Sequence, residues 1–297
     1  MMSLQEFTSR LVSICKPKLL PATIPFFNTY YNPSKRLLER ARLGTGVFIK
    51  IEDRHFILTA SHVINELYSN NRNLELSWDS DDHDPIPITA TEFILYDSSV
   101  LDVAAFPLDD ASTTKLLKRH VPISLVDVAQ EHQGWNGPFL IVGYPRALTL
   151  VREQEWDEES RPAPIIKPFI YLAQRLHDGW KHDKLQYDPR LHLVVRCARE
   201  SCVFFDGQQA ELWDHKGMEG ISGCGVWMFP DSSNPNIETW RPEICKMVAI
   251  VHSWDDINGR LAGTWVDAAL TGIVRRFPEL KTAVSLRYAS PPNLYFL

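Results

Sequence analysis

The sequence predicts a mostly β protein, and two kinds of pattern carry that prediction. Apolar residues recur at every second position over 47–51, and the polar turn at 52–54 leads into the apolar run 56–58, which together indicate a β-hairpin. Apolar runs of strand length recur at 103–106, 139–142, 226–229 and 247–252. We therefore expect strands through most of the chain, with a polar, partly helical link over 110–132.

The N-terminal region predicts a helix that precedes these strands. Apolar residues with helical spacing stand at positions 4, 7, 11, 12 and 15. Ser3 can cap this helix, with Glu6 three positions later. Proline disrupts a helix interior, so we expect Pro17 and Pro21 to end the helix. Residues 1–40 are accordingly assigned to an N-terminal helical extension.

Composition and charge argue against several classes of function. The 297 residues are 44% hydrophobic and 23% charged, which is ordinary for a globular protein of one large or two modest domains. The net charge of −6 gives no basic footprint for nucleic acid, and no apolar run approaches the length of a membrane span. The four aspartates within 79–84 lack EF-hand spacing, so we favour a solvated turn over a calcium site. We expect no metal and no cofactor.

The cysteines and the N-terminus predict the compartment. The five cysteines are Cys15, Cys197, Cys202, Cys224 and Cys245. Their odd number in a long chain does not indicate a disulfide framework, and they lack zinc-site spacing. Within 1–18, Glu6 and Arg10 interrupt what would be the apolar core of a secretory signal. We therefore predict free thiols and a cytoplasmic location.

A glycine-rich stretch at 217–227 contains four glycines within nine positions, with Ser222 in the middle. Glycines at this density favour backbone conformations that other residues avoid. Such a loop can direct backbone N–H groups into a small space, where a serine could attack a carbonyl while those groups hold the oxyanion. The alternative is a glycine-rich turn that leads into a strand. A nucleophilic serine also needs a base and an orienting acid.

Three further stretches supply candidates for those roles. Gly-Thr-Gly-Val-Phe at 44–48 is followed by Leu-Thr-Ala-Ser-His-Val, which contains His62, and Asp102 opens an Asp-Val-Ala run. With Ser222 in Gly-x-Ser-Gly, the order His, Asp, Ser resembles that of the chymotrypsin-like (trypsin-fold) serine peptidases, here of a bacterial intracellular type. The resemblance covers roughly residues 41–270.

The resemblance implies a fold. It implies two six-stranded antiparallel β-barrels, with the N-terminal helical extension before them and a C-terminal helix over 267–277 after them. The implied limits are 41–275 for the peptidase domain, about 41–130 and 135–275 for its two barrels, and 276–297 for a C-terminal tail. Residues 151–191, rich in charged and aromatic side chains, would form an insertion into the second barrel.

The resemblance also implies roles for individual residues. Ser222 would be the nucleophile, His62 the general base, and Asp102 the acid that orients His62. Asp97 competes with Asp102 for the acid's role but lacks the Val-Ala run after it. The backbone N–H groups of Gly220 and Ser222 would form the oxyanion hole.

Two positions differ from many members of the family. Ile221 stands where many members have an acid that binds a newly freed N-terminus, so we expect no activation step of that kind. Cys224 stands where glycine is common, and we interpret it as a small buried apolar residue, with a redox role as the alternative.

Four residues are candidates for substrate binding. Lys216 precedes the nucleophile by six positions, which in the family lies near the base of the primary specificity pocket. His252, Ser253 and Trp254 end the strand before the pocket wall, and a histidine there resembles members that prefer glutamate or glutamine. Together Lys216 and His252 would favour an acidic or amide side chain.

These observations predict a serine endopeptidase of restricted specificity that acts on a protein or peptide substrate. Regulation by a protein partner and a role as a stress or defence effector are suggested by analogy. One alternative is a catalytically silent binding module of the same fold, and another is an esterase that uses the same triad. We expect neither nucleic-acid nor membrane binding.

Overall fold

The computed structural model describes residues 4–32, 37–69, 73–76, 86–88, 93–97, 100–129, 138–145, 149–150, 165–166, 168–176, 187–204, 218–228, 241–255 and 258–287. The helices are α1 (Leu4–Ala22), α2 (Ser61–Ser69), α3 (Asp110–Leu117), α4 (Val266–Arg276) and α5 (Lys281–Arg287). No helix among these residues is long and apolar enough to cross a membrane.

Strands of the first half of the chain form one sheet. They are β1 (Thr23–Asn32), β2 (Leu37–Ile51), β3 (Arg54–Thr59), β4 (Asn73–Leu76), β5 (Ile86–Ile88), β6 (Ile94–Asp97), β7 (Asp102–Pro107) and β8 (Ile123–Ser124). Their order is β5-β4-β1-β2-β3-β7-β6, and β8 pairs with β2 in parallel. The predicted hairpin is the β2–β3 pair, in which Ile49 lies opposite Phe56.

This first sheet must curl strongly. Its two edge strands, β5 and β6, are consecutive in the chain. The six peptide steps from Ile88 to Ile94 can span at most about 22 Å, whereas a flat row of seven strands would hold its edges about 29 Å apart. The described residues nevertheless contain no pairing between β5 and β6. Among the described residues this first sheet is therefore curled but open, and the closed six-stranded barrel predicted here is not confirmed.

Strands of the second half close into a barrel, as predicted. They are β9 (Pro138–Gly143), β12 (Phe169–Arg175), β13 (His192–Phe204), β14 (Gly225–Met228), β15 (Lys246–Asp255) and β16 (Arg260–Trp265), paired around the barrel in the order β12-β13-β16-β15-β14-β9. A separate two-stranded ladder joins β10 (Thr149–Leu150) to β11 (Ile165–Ile166).

The prediction that residues 151–191 form one insertion is wrong where it includes β12, because this strand is part of the barrel itself. This strand lies inside that range, yet it pairs with β9 on one side and β13 on the other. Phe169, Ile170 and Tyr171 are fully buried there. Residues 151–164 lie outside the described residues.

The predicted N-terminal extension over 1–40 is helical only as far as Ala22. Helix α1 continues through Pro17 and Pro21, because Leu11, Cys15, Leu19 and Ala22 form one fully buried stripe along it. Burying a leucine contributes roughly 1.5–3 kcal/mol, so the two leucines together supply about 3–6 kcal/mol, against ~3 kcal/mol of cost for each of the two interior prolines. Strand β1 follows and pairs with β2 along its whole length.

The C-terminal end also differs in part from expectation. The observed helix α4 agrees with the predicted helix over 267–277. The predicted tail over 276–297 begins with a short 3₁₀ helix (Pro278–Leu280) and then α5. Leu280 and Val284 are buried in the same core as α1, so this part of the tail belongs to the folded domain.

The four described cysteine side chains, Cys15, Cys197, Cys224 and Cys245, are buried thiols outside any disulfide. The thiols of Cys15 on α1 and Cys245 before β15 lie 3.5 Å apart. The hydrogen bond to Cys245, together with burial, raises the pKa of the Cys15 thiol above its ordinary value. The reactive species is the thiolate, so burial protects both thiols from reaction, and the raised pKa of Cys15 keeps that thiol protonated as well.

In the native protein, we expect Cys15 and Cys245 not to react with iodoacetamide. After unfolding without reductant, we expect both to react. Mass spectrometry of the two peptides measures this directly, with a fully reduced sample as the control. A cross-linked Cys15–Cys245 peptide in the unreduced sample would contradict the expectation of free thiols.

Candidate active site

His62 and Asp102 are held together by a short hydrogen bond. His62 lies in the first turn of α2, and Asp102 is the first residue of β7. The distance from His62 Nδ1 to Asp102 Oδ2 is 2.6 Å. Since a carboxylate can only accept, Nδ1 carries the proton and Nε2 is the basic nitrogen of the ring. The His62 side chain is 44% exposed, so its ring is accessible from solvent.

The other carboxylate oxygen of Asp102 is also bound. Asp102 Oδ1 accepts from Ser61 Oγ at 2.7 Å and from the His62 backbone N–H at 3.1 Å. Asp97 lies opposite Asp102 in the β6–β7 ladder, but its side chain lies outside the described part of the chain. Of the two candidate acids, the one seen bonded to His62 is Asp102.

These contacts keep Asp102 ionised. Burial acts to raise the pKa of this carboxyl, because the Asp102 side chain is only 15% exposed. The hydrogen bond from His62, the charges that His62 and His252 can carry, and the Ser61 hydroxyl all act in the opposite direction. Together they outweigh burial and hold the pKa of Asp102 at about 2. At neutral pH the carboxylate can therefore stabilise a protonated His62.

The loop that carries Ser222 is fixed at both ends. Gly220 and Gly223 have φ values of 87° and 89°, a region that favours glycine. The Gly223 N–H donates to Val251 O on β15 at 2.7 Å, and Thr45 Oγ1 donates to Gly220 O at 3.1 Å. This loop therefore rests on the second barrel and on β2 of the first sheet.

Gly44 and Thr45 bring the Ser222 loop against α2. The Thr45 N–H donates to Ser222 O at 2.8 Å. A Cβ placed on Gly44 would lie 2.8 Å from Val63 Cγ1 and 3.0 Å from Ser222 O. Val63 directly follows His62, so the absence of a side chain at Gly44 allows the base and the nucleophile loop to approach each other.

The candidate oxyanion-hole amides belong to the same loop. Within the described residues, neither the Gly220 nor the Ser222 N–H donates to a backbone oxygen. Ile221 between them is buried, and its carbonyl accepts from the Cys224 N–H at 2.9 Å and from Cys224 Sγ at 2.6 Å. Cys224 is thus a fully buried part of the loop, in line with the apolar interpretation of this residue.

The candidate substrate-binding residues are only partly described. Lys216 lies outside the described residues. His252 lies on β15 at a bulge between Val251 and Ser253, and its Nδ1 is 2.8 Å from Ser253 Oγ. His252 is only 3% exposed, and its ring packs edge-on against His192 at 5.6 Å between centroids. Trp254 is partly buried against the core of the second barrel.

His192 is a residue of this region that the sequence analysis missed. It begins β13 and is 1% exposed. Its Nε2 lies 2.7 Å from the carbonyl oxygen of Val100, two residues before Asp102. The available signal was weak, since a single histidine before an apolar strand resembles any buried histidine of a core.

No metal site is evident among the described residues, where no group of three or more His, Cys, Asp or Glu side chains is arranged to hold an ion. The aspartate-rich segment 79–84, interpreted from its sequence as a solvated turn, lies outside them.

Comparison with solved structures finds proteases among the neighbours of this chain. The HtrA-type protease AlgW with a decapeptide matches at 12% identity and a TM-score of 0.48, over 90% of this chain and 67% of that chain. The VesB protease of Vibrio cholerae matches at 12% identity and a TM-score of 0.44, over 87% and 63% of the two chains.

A third structure comes from work on the Sesbania mosaic virus VPg protein. It matches at 13% identity and a TM-score of 0.40, over 82% of this chain and 92% of that chain. No family model matches the sequence, and no curated protein matches it. Two of these structural neighbours are described as proteases, one of them of the HtrA type.

Proposed function

We propose that this protein is a serine endopeptidase in which Ser222, His62 and Asp102 form the catalytic triad. One observation carries the proposal: the 2.6 Å bond that joins an ionised Asp102 to the exposed ring of His62. The glycine-rich loop of Ser222 meets the same helix through Gly44, which supports the assignment of the nucleophile.

The reaction follows from the roles of these groups. Ser222 Oγ attacks the carbonyl carbon of the scissile peptide bond while His62 Nε2 takes the hydroxyl proton. The negative charge that develops on the carbonyl oxygen is bound by the N–H groups of Gly220 and Ser222, each worth roughly 3 kcal/mol in the transition state. His62 then delivers the proton to the leaving amine. Water hydrolyses the acyl-enzyme by the same steps in reverse order.

The alternatives predict different observations. A silent binding module would not need an ionised acid bonded to an exposed histidine, so the His62–Asp102 pair favours an enzyme. An esterase could use the same residues, and the ratio of turnover on peptide and simple ester substrates separates it from a peptidase. Restricted specificity, control by a partner protein and a role in stress or defence remain proposals by analogy.

We expect the full-length chain to react with a fluorophosphonate probe without N-terminal processing. Ile221 is buried and uncharged, so it cannot pair with a newly freed N-terminus as an acid could. Labelling of intact protein, followed by mapping of the adduct to Ser222, tests both the nucleophile and the activation state. The Ser222→Ala variant is the control.

Two results would count against this proposal. Labelling that survives in Ser222→Ala would reject the nucleophile. Labelling seen only after truncation would make the N-terminal helix α1 a propeptide. The cytoplasmic location also remains a proposal, supported by the thiol state of Cys15, Cys197, Cys224 and Cys245.

We expect preferential cleavage after glutamate or glutamine, with Lys216, His252, Ser253 and Trp254 as the selecting residues. A charge-assisted hydrogen bond to the substrate is worth roughly 1.5–3 kcal/mol, so its loss should reduce selectivity by roughly ten- to a hundredfold. Because His252 also packs against His192 and influences Asp102, its replacement should slow all substrates to some extent.

The informative quantity is therefore the ratio of kcat/KM for Glu and Leu substrates, compared between wild type and His252→Ala. A peptide library provides the profile. An unchanged ratio would remove His252 from the specificity pocket, and a preference for Arg or Lys before the cut would reject the whole assignment.

A further inference from the structure

A buried histidine of the second barrel reaches the segment that carries the candidate acid. The Asp188 backbone N–H donates to His192 Nδ1 at 3.0 Å, and His192 Nε2 lies 2.7 Å from Val100 O. An N–H group can only donate and a carbonyl can only accept, so these partners fix the tautomer with its proton on Nε2. Each ring nitrogen of His192 therefore has a hydrogen-bond partner.

On the side of the second barrel, several hydrogen bonds hold the backbone next to His192. His192 follows a turn over Asp188–Leu191 in which the Leu191 N–H donates to Asp188 O at 2.9 Å. The buried Trp265 binds the same turn twice: its backbone N–H donates to Leu191 O at 2.9 Å, and its Nε1 donates to Pro189 O at 3.2 Å. Arg190 holds the Asp188 carboxylate at 2.6 Å. These hydrogen bonds therefore hold in place the backbone that carries the His192 imidazole.

On the other side of the contact between His192 and Val100 is the segment that leads into β7. Val100 and the buried Leu101 directly precede Asp102, the first residue of that strand. A shift of the Val100 carbonyl would therefore move the Asp102 backbone, and with it the carboxylate that lies 2.6 Å from His62. Misplacements of about 1 Å can cost two orders of magnitude in catalysis.

We propose that His192 is a positioning residue: it holds the Val100 carbonyl against the second barrel and so fixes Asp102 at bonding distance from His62. This inference rests on the proposed catalytic triad and extends it to the second barrel. His192 does not touch the reacting atoms; it acts through the backbone of the acid.

The groups around His192 favour a hydrogen-bonding role over a charged one. Tyr187 stacks on its ring at 6.0 Å, and the ring of His252 packs edge-on at 5.6 Å. Burial lowers the pKa of His192, since the charged form would lose its water, while the Val100 carbonyl and the Arg190-bound Asp188 act in the opposite direction. Overall the pKa of His192 is lowered, so the ring is neutral near pH 7.

Two variants separate the two bonds of His192. In His192→Asn the amide lies near the Nδ1 position, so the bond from Asp188 can persist while Val100 is out of reach. In His192→Gln the terminal amide lies near the Nε2 position and can donate to Val100. Neither variant adds a charge, and both remove the aromatic contact with Tyr187, so they form a matched pair.

The measurement is an NMR pH titration of the His62 imidazole. An ionised carboxylate next to His62 raises its pKa, because it stabilises the imidazolium. We expect His192→Asn to lower the pKa of His62 by about one unit as Asp102 withdraws, and His192→Gln to stay near the wild-type value. His192→Phe, which keeps the ring but has no donor, should behave as the Asn variant does, and it covers the case in which the Asn variant does not fold.

A second buried histidine serves as the control for a general loss of stability. The ring of His120 contacts the Pro21 carbonyl through Nδ1 at 2.8 Å. His120→Gln loses that bond and should reduce stability without moving the titration of His62. An unchanged His62 titration in folded His192→Asn or His192→Phe, or equal shifts in the Asn and Gln variants, would overturn the proposal.

The titration needs no substrate and no turnover, so the two proposals can fail separately. A shifted titration in a protein that no fluorophosphonate labels would reject the proposed function and leave the positioning role of His192 intact. Labelling of Ser222 together with an unchanged titration would reject only the role of His192.

Discussion

Replacing Asp102 with Asn should lower kcat by about 10⁴, and replacing Ser222 or His62 with Ala should reduce it at least as far. The amide introduced by Asp102→Asn can present a donor where His62 needs an acceptor. His62 would then carry its proton on Nε2, the nitrogen that must accept from Ser222. In the wild-type protein, the described part of the chain donates three hydrogen bonds to Asp102, and all three come from Ser61 or His62.

Single and double variants should show that the three residues act as a unit. Adding His62→Ala to Ser222→Ala should lower kcat little further, since either change alone removes the nucleophilic route. Asp127→Asn is a matched control: Asp127 also accepts several bonds, from Lys18 at 2.8 Å and Ser124 at 2.9 Å, but at the α1 face of the molecule. It should alter stability and leave kcat near wild type. Full turnover by purified Ser222→Ala would reject the mechanism.

The residues of the candidate site could be proposed from the sequence because they stand in short local motifs. Gly44 leaves room for Val63 and Ser222 O, and Gly223 adopts a positive φ, so the glycines in both motifs have a steric cause. Steric causes of this kind act over a few residues and are therefore visible in the sequence. The same holds for the β2–β3 hairpin, where alternation and the turn at 52–54 are contiguous.

The parts that sequence reasoning missed depend on contacts distant in the chain. Helix α1 passes through Pro17 and Pro21 because its buried stripe packs against residues far along the chain, among them Cys245. Strand β12 lies in a stretch rich in charge, and only its pairing with β9 and β13 identifies it as part of the barrel.

His192 shows the same limit within the site. Its two partners are the Asp188 backbone in the adjoining turn and the Val100 carbonyl of the other half of the molecule. Every residue type has the same backbone groups, so a backbone partner cannot be identified from the sequence. A histidine that acts through backbone groups therefore cannot be distinguished from a buried core histidine until the fold brings Val100 to it.

Replacing Gly223 with Ala should remove both the fold of the Ser222 loop and the reaction with a fluorophosphonate. A Cβ at this position would fall well inside contact distance of the Thr45 carbonyl oxygen and the Thr59 hydroxyl. The Thr59 hydroxyl donates to the Thr45 carbonyl oxygen at 2.8 Å, so if either atom moves away, the other loses this hydrogen bond. The positive φ of Gly223 costs a non-glycine residue about 1–2 kcal/mol, and an unsatisfied buried partner costs about 1–3 kcal/mol more.

We therefore expect Gly223→Ala to lower the free energy of unfolding by about 2–5 kcal/mol, measured by urea denaturation. Gly259→Ala is the matched control, because Gly259 also has a positive φ, of 60°, but its nearest neighbour to an added Cβ is Cys197 O at 3.1 Å. That variant should lose only the backbone term, about 1–2 kcal/mol, and should still be labelled at Ser222. If Gly223→Ala lost no more stability than Gly259→Ala and kept the wild-type labelling rate, the close packing of the loop on Thr45 and Thr59 would not be what holds Ser222 in position.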